Sequence, residues 1–282
     1  MFRILEKKIL ADEIKLFKMY APGIAQKAKP GQFIILRINE KGERIPLTIA
    51  DFDQNEGTIT IVFQEVGKTT KMLGLLEEGD TVLDFVGPLG MPSHVEEIGK
   101  VVCVGGGVGV APIYPITRAL KGAGNDVTGI IGARSKNILF WEDEMRSVTD
   151  RLFVTTDDGS HGRKGFVTDI LKGLIDEDNG RPDLVVAVGP LPMMKAVSML
   201  TREFGIKTVV SLNSIMVDGT GMCGACRVTV GDETRFACVD GPEFDGHKVN
   251  FDEMSLRAKF FEEEEKQSMR NYLCSCGGKC ND

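Results

Sequence analysis

The chain has 282 residues, of which 42% are hydrophobic, and a formal net charge of -7 at pH 7. This length allows a substantial buried core and suggests two or more domains. The negative charge argues against a nucleic-acid-binding surface, and no apolar run approaches the length of a membrane span. The first residues alternate charged and apolar side chains without the apolar core of a secretory signal, so we expect a cytoplasmic protein.

Residues 1–98 have the pattern of an antiparallel β-domain. Short apolar segments such as Phe33–Leu36 and Ile59–Phe63 are separated by turn residues. Such a pattern is typical of a barrel or a sandwich. The sequence also predicts one short helix around Thr69–Leu76.

Two polar segments of this domain suit a flavin when they are taken together. The first segment runs from Arg44 to Ile49, and the second runs from Val66 to Thr70 at the start of the predicted helix. Each segment alone is explained by a polar strand edge or by a helix start. Together, an arginine would pair with the pyrophosphate of FAD, and the helix start would offer backbone and hydroxyl donors.

Residues 99–212 alternate buried strands with helices, which predicts an α/β domain with a parallel sheet. The predicted strands are Val101–Val104, Val127–Ile131, Leu152–Thr155, Leu184–Val188 and Thr208–Val210. The predicted helices are Ala111–Ala119, Phe140–Ser147, Phe166–Leu174 and Met193–Phe204.

A glycine-rich loop follows the first of these strands and precedes a helix with Pro112 in its first turn. The loop consists of Gly105, Gly106, Gly107, Val108 and Gly109. Glycines permit close backbone approach, and a helix start offers N–H groups to a pyrophosphate. A tight turn without a ligand is the alternative, but the strand–turn–helix context favours a dinucleotide site.

Residues 213–250 contain three of the seven cysteines, in a glycine-rich loop and a hairpin predicted at Arg227–Val230 and Arg235–Cys238. The loop reads Asp218-Gly219-Thr220-Gly221-Met222-Cys223-Gly224-Ala225-Cys226, and Cys238 follows. This is the plant-type 2Fe–2S spacing with aspartate in the place of the first cysteine. Clustered cysteines of a cytoplasmic protein indicate metal ligands. We therefore predict iron at Asp218, Cys223, Cys226 and Cys238, with buried free cysteines or a structural zinc as the alternatives.

Residues 251–282 are predicted to form an exposed helix over 251–273, carrying the acidic run Glu262–Glu265, and a tail with Cys274, Cys276 and Cys280. The tail either binds a metal or a partner-held cluster, or has no catalytic role. The three histidines show no ligand spacing. No nucleophile–base arrangement stands out, so we predict no catalytic side chain.

The order of these motifs resembles the ferredoxin–NADP reductase superfamily. The motifs are R-x-P-[LI]-[ST] at Arg44–Thr48, GGG-x-G-x-AP at Gly105–Pro112, VGP-x-x-MM at Val188–Met194, and then the cysteine loop. Over roughly residues 1–250, the chain is similar to the branch that contains the electron-transfer subunit of dihydroorotate dehydrogenase B.

The resemblance implies that a barrel at 1–98 binds FAD, that an α/β domain at 99–212 binds a pyridine nucleotide, and that residues 213–250 hold a 2Fe–2S cluster. It assigns the FAD contacts to Arg44, Pro46, Leu47, Thr48, Gly67, Lys68, Thr69 and Thr70. It assigns the nucleotide contacts to Gly105–Gly109, Arg134, Asp157, Gly189, Pro190 and Met193. An arginine at position 134 suits the 2′-phosphate of NADP. Related subunits mostly use NAD(H), however, and NAD(H) is what we expect.

The aspartate at position 218 makes the chain similar to the small subunits of the electron-bifurcating NADH-dependent ferredoxin:NADP+ oxidoreductases, in which aspartate replaces the first cysteine. This similarity implies hydride exchange with NAD(H), carried by FAD and the nicotinamide, and single-electron transfer through the cluster. It also implies a heterodimer or larger hetero-oligomer with a larger flavin and 4Fe–4S subunit, which handles ferredoxin and NADP(H). An electron-transfer subunit of dihydroorotate dehydrogenase is the alternative, and a non-enzymatic zinc- or nucleotide-binding module is a third possibility.

Overall fold

The computed structural model of the protein describes residues 2–177 and 181–275. The first part of the chain forms β1 (Phe2–Ala11), β2 (Ile14–Tyr20), α1 (Pro22–Ala25), β3 (Phe33–Arg37), β4 (Ile45–Asp53), β5 (Thr58–Gln64), α2 (Lys68–Gly74), β6 (Thr81–Val82) and β7 (Asp84–Leu89). All seven strands join one antiparallel sheet in the order β6-β1-β2-β5-β4-β3-β7.

This sheet curls into a nearly closed barrel. Its two edge strands, β6 and β7, are separated in the chain by Leu83 alone, so the opposite edges of the sheet lie side by side. The backbone N–H of Leu83 donates to the carbonyl of Arg37 at 3.0 Å. Because strand side chains alternate between faces, one face fills the interior with buried residues such as Phe17, Ile34 and Phe63. The predicted barrel is confirmed.

The middle of the chain forms a parallel sheet with helices on its faces. The elements are β8 (Lys100–Gly106), α3 (Val110–Gly122), β9 (Asp126–Ala133), α4 (Glu142–Ser147), β10 (Arg151–Thr156), β11 (Arg163–Lys164), α5 (Val167–Asp176), β12 (Leu184–Val188), α6 (Leu191–Glu203) and β13 (Lys207–Ser211). The strand order β11-β10-β9-β8-β12-β13 confirms the predicted α/β sheet. The order reverses at β8, and ligands of such sheets bind beyond the carboxyl ends of the strands at this switch point.

The last part of the chain contains β14 (Arg227–Val230), β15 (Glu233–Phe236), β16 (Glu243–Asp245), α7 (Phe251–Ala258) and α8 (Glu262–Ser275). The hairpin β14–β15 is present, but its second strand ends at Phe236, not at the predicted Cys238. The N–H groups of Val239 and Asp240 both donate to the carbonyl of Phe236, which turns the chain there. The unpredicted strand β16 extends the parallel sheet by pairing antiparallel with β13.

The single exposed helix predicted over 251–273 is wrong, because two helices occupy this region. Phe251 and Met254 of α7 are buried, and α7 lies against α6 and β14, whereas α8 lies against α2. Cys274 is exposed in α8, while Cys276 and Cys280 lie outside the described residues. None of the helices within 2–177 and 181–275 has the length and apolar composition needed to cross a membrane.

Apolar contacts hold the three parts of the chain together. Ala50 and Val62 of the barrel share a core with Val110 and Ile113 of α3. On the other side, Phe33 of the barrel shares a core with the parallel sheet and with the two buried cysteines of residues 213–250. The candidate site therefore lies where the barrel, the sheet and the cysteine loop meet.

Candidate functional site

The predicted glycine loop at 105–109 begins later than expected, because Gly105 and Gly106 complete β8 and only Gly107–Gly109 turn into α3. The end of β8 and this turn pack against the segment that follows β12. A Cβ at Gly106 would lie 2.3 Å from Met193 Sδ and 3.2 Å from Pro190 Cδ, and a Cβ at Gly109 would lie 2.3 Å from the Val188 carbonyl oxygen. Only glycine permits this approach. The structure thus brings two predicted nucleotide segments, 105–109 and 189–193, together at the switch point of the sheet.

Gly107 lies on the open side of this loop. Its φ is +54, and a Cβ there would meet nothing within 4 Å. Open space beside a strand–glycine–helix turn is where a pyrophosphate would be received.

Arg134 and Asp157 follow two neighbouring strands, β9 and β10, at the same edge of the sheet. The N–H of Asp157 donates to the carbonyl of Ala133 at 3.1 Å, and that of Asp158 donates to the carbonyl of Arg134 at 3.2 Å. Both predicted side chains are exposed. They lie farther along the carboxyl edge of the sheet than the glycine loop and are available to a nucleotide that extends along this edge.

The predicted flavin residues of the barrel occupy β4 and the start of α2. Leu47 packs against the barrel interior, and because side chains alternate along a strand, Pro46 and Thr48 point to the other face. Leu47 therefore has its backbone, and not its side chain, to offer a cofactor. Gly67 precedes α2, and a Cβ there would meet nothing within 4 Å.

Two acidic residues that the sequence reasoning missed organise this face. Asp84 accepts a hydrogen bond from Arg37 Nε at 2.6 Å and lies 3.5 Å from Arg44. Glu43 accepts from the Thr69 hydroxyl at 2.6 Å, which ties α2 to the start of β4. In the sequence, only Glu43 could have been noticed, because it precedes Arg44. Asp84 lies on β7, which β3 separates from β4. Asp84 thus pairs with Arg44, and Glu43 holds the start of α2 next to the residue that precedes Arg44.

Thr70 forms hydrogen bonds with the backbone at the start of the same helix. Its hydroxyl accepts from the N–H of Gly67 at 3.0 Å and is 3.1 Å from the Gly67 carbonyl oxygen. Thr69 is bonded to Glu43, so both predicted threonines use their hydroxyl groups to hold the start of α2 in place. Lys68, between Gly67 and these threonines, is half-buried.

The structure places the four predicted iron ligands in two separate pairs, Asp218 with Cys223 and Cys226 with Cys238. Asp218 accepts from the N–H of Thr220 at 3.0 Å and from the N–H of Cys223 at 3.1 Å. The hydrogen bond from Thr220, followed by that from Cys223, lowers the pKa of Asp218 below its ordinary value. The Sγ atoms of Cys226 and Cys238 lie 3.1 Å apart, and both residues are buried.

In the described ranges, no three His, Cys, Asp or Glu side chains converge closely enough to hold a metal ion. The buried pair of Cys226 and Cys238 nevertheless suits one iron of a cluster. Two thiolates on one tetrahedral metal would lie about 3.7 Å apart, so the pair of Cys226 and Cys238 needs to open only slightly. Burial raises the pKa of Cys238 to about 12, so this thiol stays protonated until a cation replaces its proton.

Glycines shape the loop around these pairs. Gly219, Gly221 and Gly224 have φ values of +77, +83 and +69, a region that L-residues avoid. A Cβ at Gly219 would lie 2.7 Å from Leu89 Cδ1 and 3.0 Å from Ile35 Cγ1. The loop therefore rests directly on β3 and β7 of the barrel, and Ile35 pairs with Pro46 of β4.

A half-buried carboxyl group lies at the junction of the three parts. Glu243 of β16 accepts a hydrogen bond from the Ser93 hydroxyl at 2.5 Å. Burial raises the pKa of Glu243, and the bond from Ser93 opposes that rise. Glu243 also borders a cavity of about 780 Å³ between the hairpin and β16. The sequence reasoning passed over this residue, because only the tertiary fold buries it.

A barrel, a parallel nucleotide-type sheet and a cysteine loop in this arrangement define an NAD-linked oxidoreductase subunit with an iron–sulfur domain. Comparison with known families agrees. Residues 103–199 match the oxidoreductase NAD-binding domain, and residues 213–250 match the iron-sulfur cluster binding domain of dihydroorotate dehydrogenase B.

Similar proteins define the family of the chain more narrowly. A dihydroorotate dehydrogenase B (NAD(+)) electron transfer subunit homolog of Thermotoga maritima is 51% identical over 97% of this chain and 96% of its own length. The electron transfer subunit of Fusobacterium nucleatum is 36% identical over 81% of this chain and 90% of its own length. The chain belongs to the family of dihydroorotate dehydrogenase B electron-transfer subunits and their homologues.

A solved structure adds a second relationship. A chain of the NADH-dependent reduced ferredoxin-NADP oxidoreductase, studied for flavin-based electron bifurcation, is 50% identical with a TM-score of 0.91, over 97% of this chain and 98% of that one. The recognition of this group from the motifs is thereby confirmed. The cofactors expected from the sequence, namely FAD, a 2Fe–2S cluster and NAD(H), agree with the family.

Proposed function

We propose that the chain exchanges hydride with NAD(H) and passes single electrons through a 2Fe–2S cluster to or from a larger partner subunit. The complex would be a flavin-based, electron-bifurcating ferredoxin:NADP+ transhydrogenase, working in the cytoplasm. Two features support this choice: aspartate at position 218, and the full-length similarity to a chain of the NADH-dependent reduced ferredoxin-NADP oxidoreductase. In this proposal the partner carries a further FAD and 4Fe–4S clusters and contacts ferredoxin and NADP(H).

The observation that best supports the proposal is the contact between the cysteine loop and the barrel. Gly219 lies against Ile35 and Leu89, and Ile35 pairs with Pro46, so the loop lies one strand away from the proposed flavin segment. A flavin on β4 and a cluster in this loop would be neighbours in a structure that holds both rigidly. Short separation is what single-electron transfer between them requires.

The proposed roles follow the three parts of the chain. Residues 1–98 would hold FAD through Arg44, Pro46, Thr48, the Leu47 backbone and Gly67–Thr70. Residues 99–212 would hold NAD(H) through Gly105–Gly109, Arg134, Asp157, Gly189, Pro190 and Met193. Residues 213–250 would ligate iron through Asp218, Cys223, Cys226 and Cys238, and 251–282 would form a C-terminal extension.

FAD, when bound, accepts a hydride and releases electrons singly. The chain's own contribution is binding and position. Asp84 orients Arg44 for the pyrophosphate, and the glycine loop and Pro190 shape the nucleotide crevice at the carboxyl ends of β8 and β12. Hydride transfer needs no side-chain acid or base, so none is assigned.

The experiment is a visible absorption spectrum of the purified chain, followed by assays with the copurified larger subunit. We expect flavin and iron–sulfur absorption, NADH–dye reduction, and NADP+ reduction that depends on both NADH and reduced ferredoxin. A colourless protein without flavin and iron would rule out both redox functions. Orotate reduction by NADH without ferredoxin-linked NADP+ reduction would favour the second candidate, a dihydroorotate dehydrogenase subunit, which the names of the curated relatives support.

A further inference from the structure

A group of exposed apolar side chains lies at the end of α7 and on the cysteine loop. Leu256 is 75% exposed, Phe260 is 74% exposed and Phe261 is 45% exposed. Met222, next to Cys223, is 89% exposed. Single exposed apolar residues are ordinary, but a contiguous set marks an interaction surface.

Arg257 joins the end of α7 to the cysteine loop, the two segments that carry these side chains. Its guanidinium donates to the carbonyl of Ala225 at 2.9 Å, which fixes the end of α7 against the cysteine loop. The N–H of Phe260 donates to the carbonyl of Arg257 at 3.1 Å. The rings of Phe260 and Phe261 meet edge to face with centroids 5.1 Å apart. The aromatic pair is thus held beside the loop that carries Cys223, the exposed member of the cysteines described there.

An acidic row follows the aromatic pair directly. Glu262–Glu265 form the first turn of α8, and Lys266 pairs with Glu262 at 2.9 Å and with Glu263 at 3.0 Å. Lys259 also lies close enough to act on Glu262, but two lysines against four carboxylates still leave this turn negative. A symmetric contact between two copies of the chain would bring two such rows close together, and like charges in an interface are unfavourable.

We propose that Met222, Leu256, Phe260 and Phe261, which we name the α7–loop patch, form the docking surface for the larger redox subunit. That subunit would present an apolar pocket rimmed by lysine or arginine to the row Glu262–Glu265. Aromatic anchors in desolvated pockets provide most interface energy, and complementary rim charges speed association. This inference rests on the proposed function, because it requires a partner that exchanges electrons at the exposed side of the cysteine loop.

The test measures association of the holo chain with the larger FAD and 4Fe–4S subunit of the same genome. In the double variant Phe260→Asp/Phe261→Asp, the loss of two anchors is expected to raise Kd by roughly 100-fold or more. The matched control is Ile9→Asp on β1, since Ile9 is also 74% exposed. The control is expected to change Kd less than about threefold, as for a site outside the interface.

A charge variant tests the rim separately. Glu263→Lys/Glu264→Lys is expected to slow association at low ionic strength and to flatten its salt dependence, with little change in the dissociation rate. These positions are exposed on a helix, so this variant also provides a test if the aromatic variant does not fold.

Two readouts on the isolated chain separate this inference from the proposed function. The flavin and cluster absorption and the NADH–dye activity should be equal in wild type and all variants. If wild type lacks them, the proposed function fails. If wild type has them, unweakened partner binding by the aromatic and charge variants would overturn the docking surface. A stable homodimer that the aromatic variant dissociates would also overturn it.

Discussion

Replacing Gly219 by alanine tests how the cysteine loop rests on the barrel. The new Cβ would lie 2.7 Å from Leu89 Cδ1 and 3.0 Å from Ile35 Cγ1, at a φ of +77. The left-handed backbone costs an L-residue about 1–2 kcal/mol, and overpacking a tight contact costs about 1–3 kcal/mol. The free energy of unfolding should therefore fall by roughly 2–5 kcal/mol in total.

Gly224→Ala is the matched control in the same loop. Gly224 has a φ of +69, and a Cβ there would have Phe236 Cε1 as its nearest neighbour at 3.9 Å. This alanine carries the backbone cost without the packing cost, so we expect a loss of about 1–2 kcal/mol. The difference between the two variants isolates the contact between loop and barrel.

The assay combines urea unfolding of the holo chain with stopped-flow reduction by NADH, followed at flavin and cluster wavelengths. Both variants should reduce the flavin at the wild-type rate, because neither glycine lies in the nucleotide crevice. Gly219→Ala should slow the reduction of the cluster by the flavin, since the loop must move away from β3 and β7. Equal stability losses in the two variants, together with equal cluster reduction rates, would refute the reasoning.

Three further predictions concern the ligands, the flavin segment and pH. Asp218→Cys should still assemble a cluster but shift its reduction potential and electron spin resonance spectrum, because ligand identity sets both; an unchanged spectrum would show that Asp218 is not a ligand. Arg44→Ala should raise the dissociation constant of FAD by roughly 10- to 100-fold, the equivalent of one charge-assisted hydrogen bond, and fluorescence titration of released flavin checks this; unaltered affinity would contradict the assignment. Burial raises the pKa of Glu243, so this carboxyl group keeps its proton to a higher pH in the folded protein than in the unfolded chain. Its contribution to the free energy of unfolding is therefore full at low pH and is lost as the pH rises through the folded pKa. Glu243→Gln should flatten that fall in urea unfolding measured across pH, whereas an identical pH profile would exclude Glu243 as its source.

Local patterns in the sequence were sufficient for most strands and for the motifs. The strand Leu184–Val188 was predicted with the ends that the structure gives it, because a parallel strand buried on both faces reads as an unbroken apolar run. The glycine turn between strand and helix was predicted for the same kind of local reason, although it spans Gly107–Gly109 and not the whole of 105–109, since Gly105 and Gly106 belong to the strand. Identifying these elements requires no knowledge of what they pack against.

Elements whose ends depend on contacts with distant parts of the chain were missed or were given the wrong ends. The predicted helix at Phe140 begins later, because Trp141 adopts a φ of 55 before α4. Strand β16 spans only Glu243–Asp245 and exists through pairing with β13. The region 251–273 is divided by a turn at 259–261. Before this turn lies α7 with its buried Phe251, and after it lies the largely exposed α8. None of these features has a periodic signal of its own.

The sequence by itself determined the chemistry of this protein: an aspartate and three cysteines at cluster spacing, a glycine loop before a helix, and an arginine before a strand. These depend on residue type and spacing along the chain. The tertiary structure alone decided that Gly219 rests on Ile35 and Leu89, that Asp84 holds Arg44, and that Arg257 brings exposed aromatic rings to the cysteine loop. Each of these contacts joins residues far apart in the chain, and only the packing of barrel, sheet and loop brings such residues together.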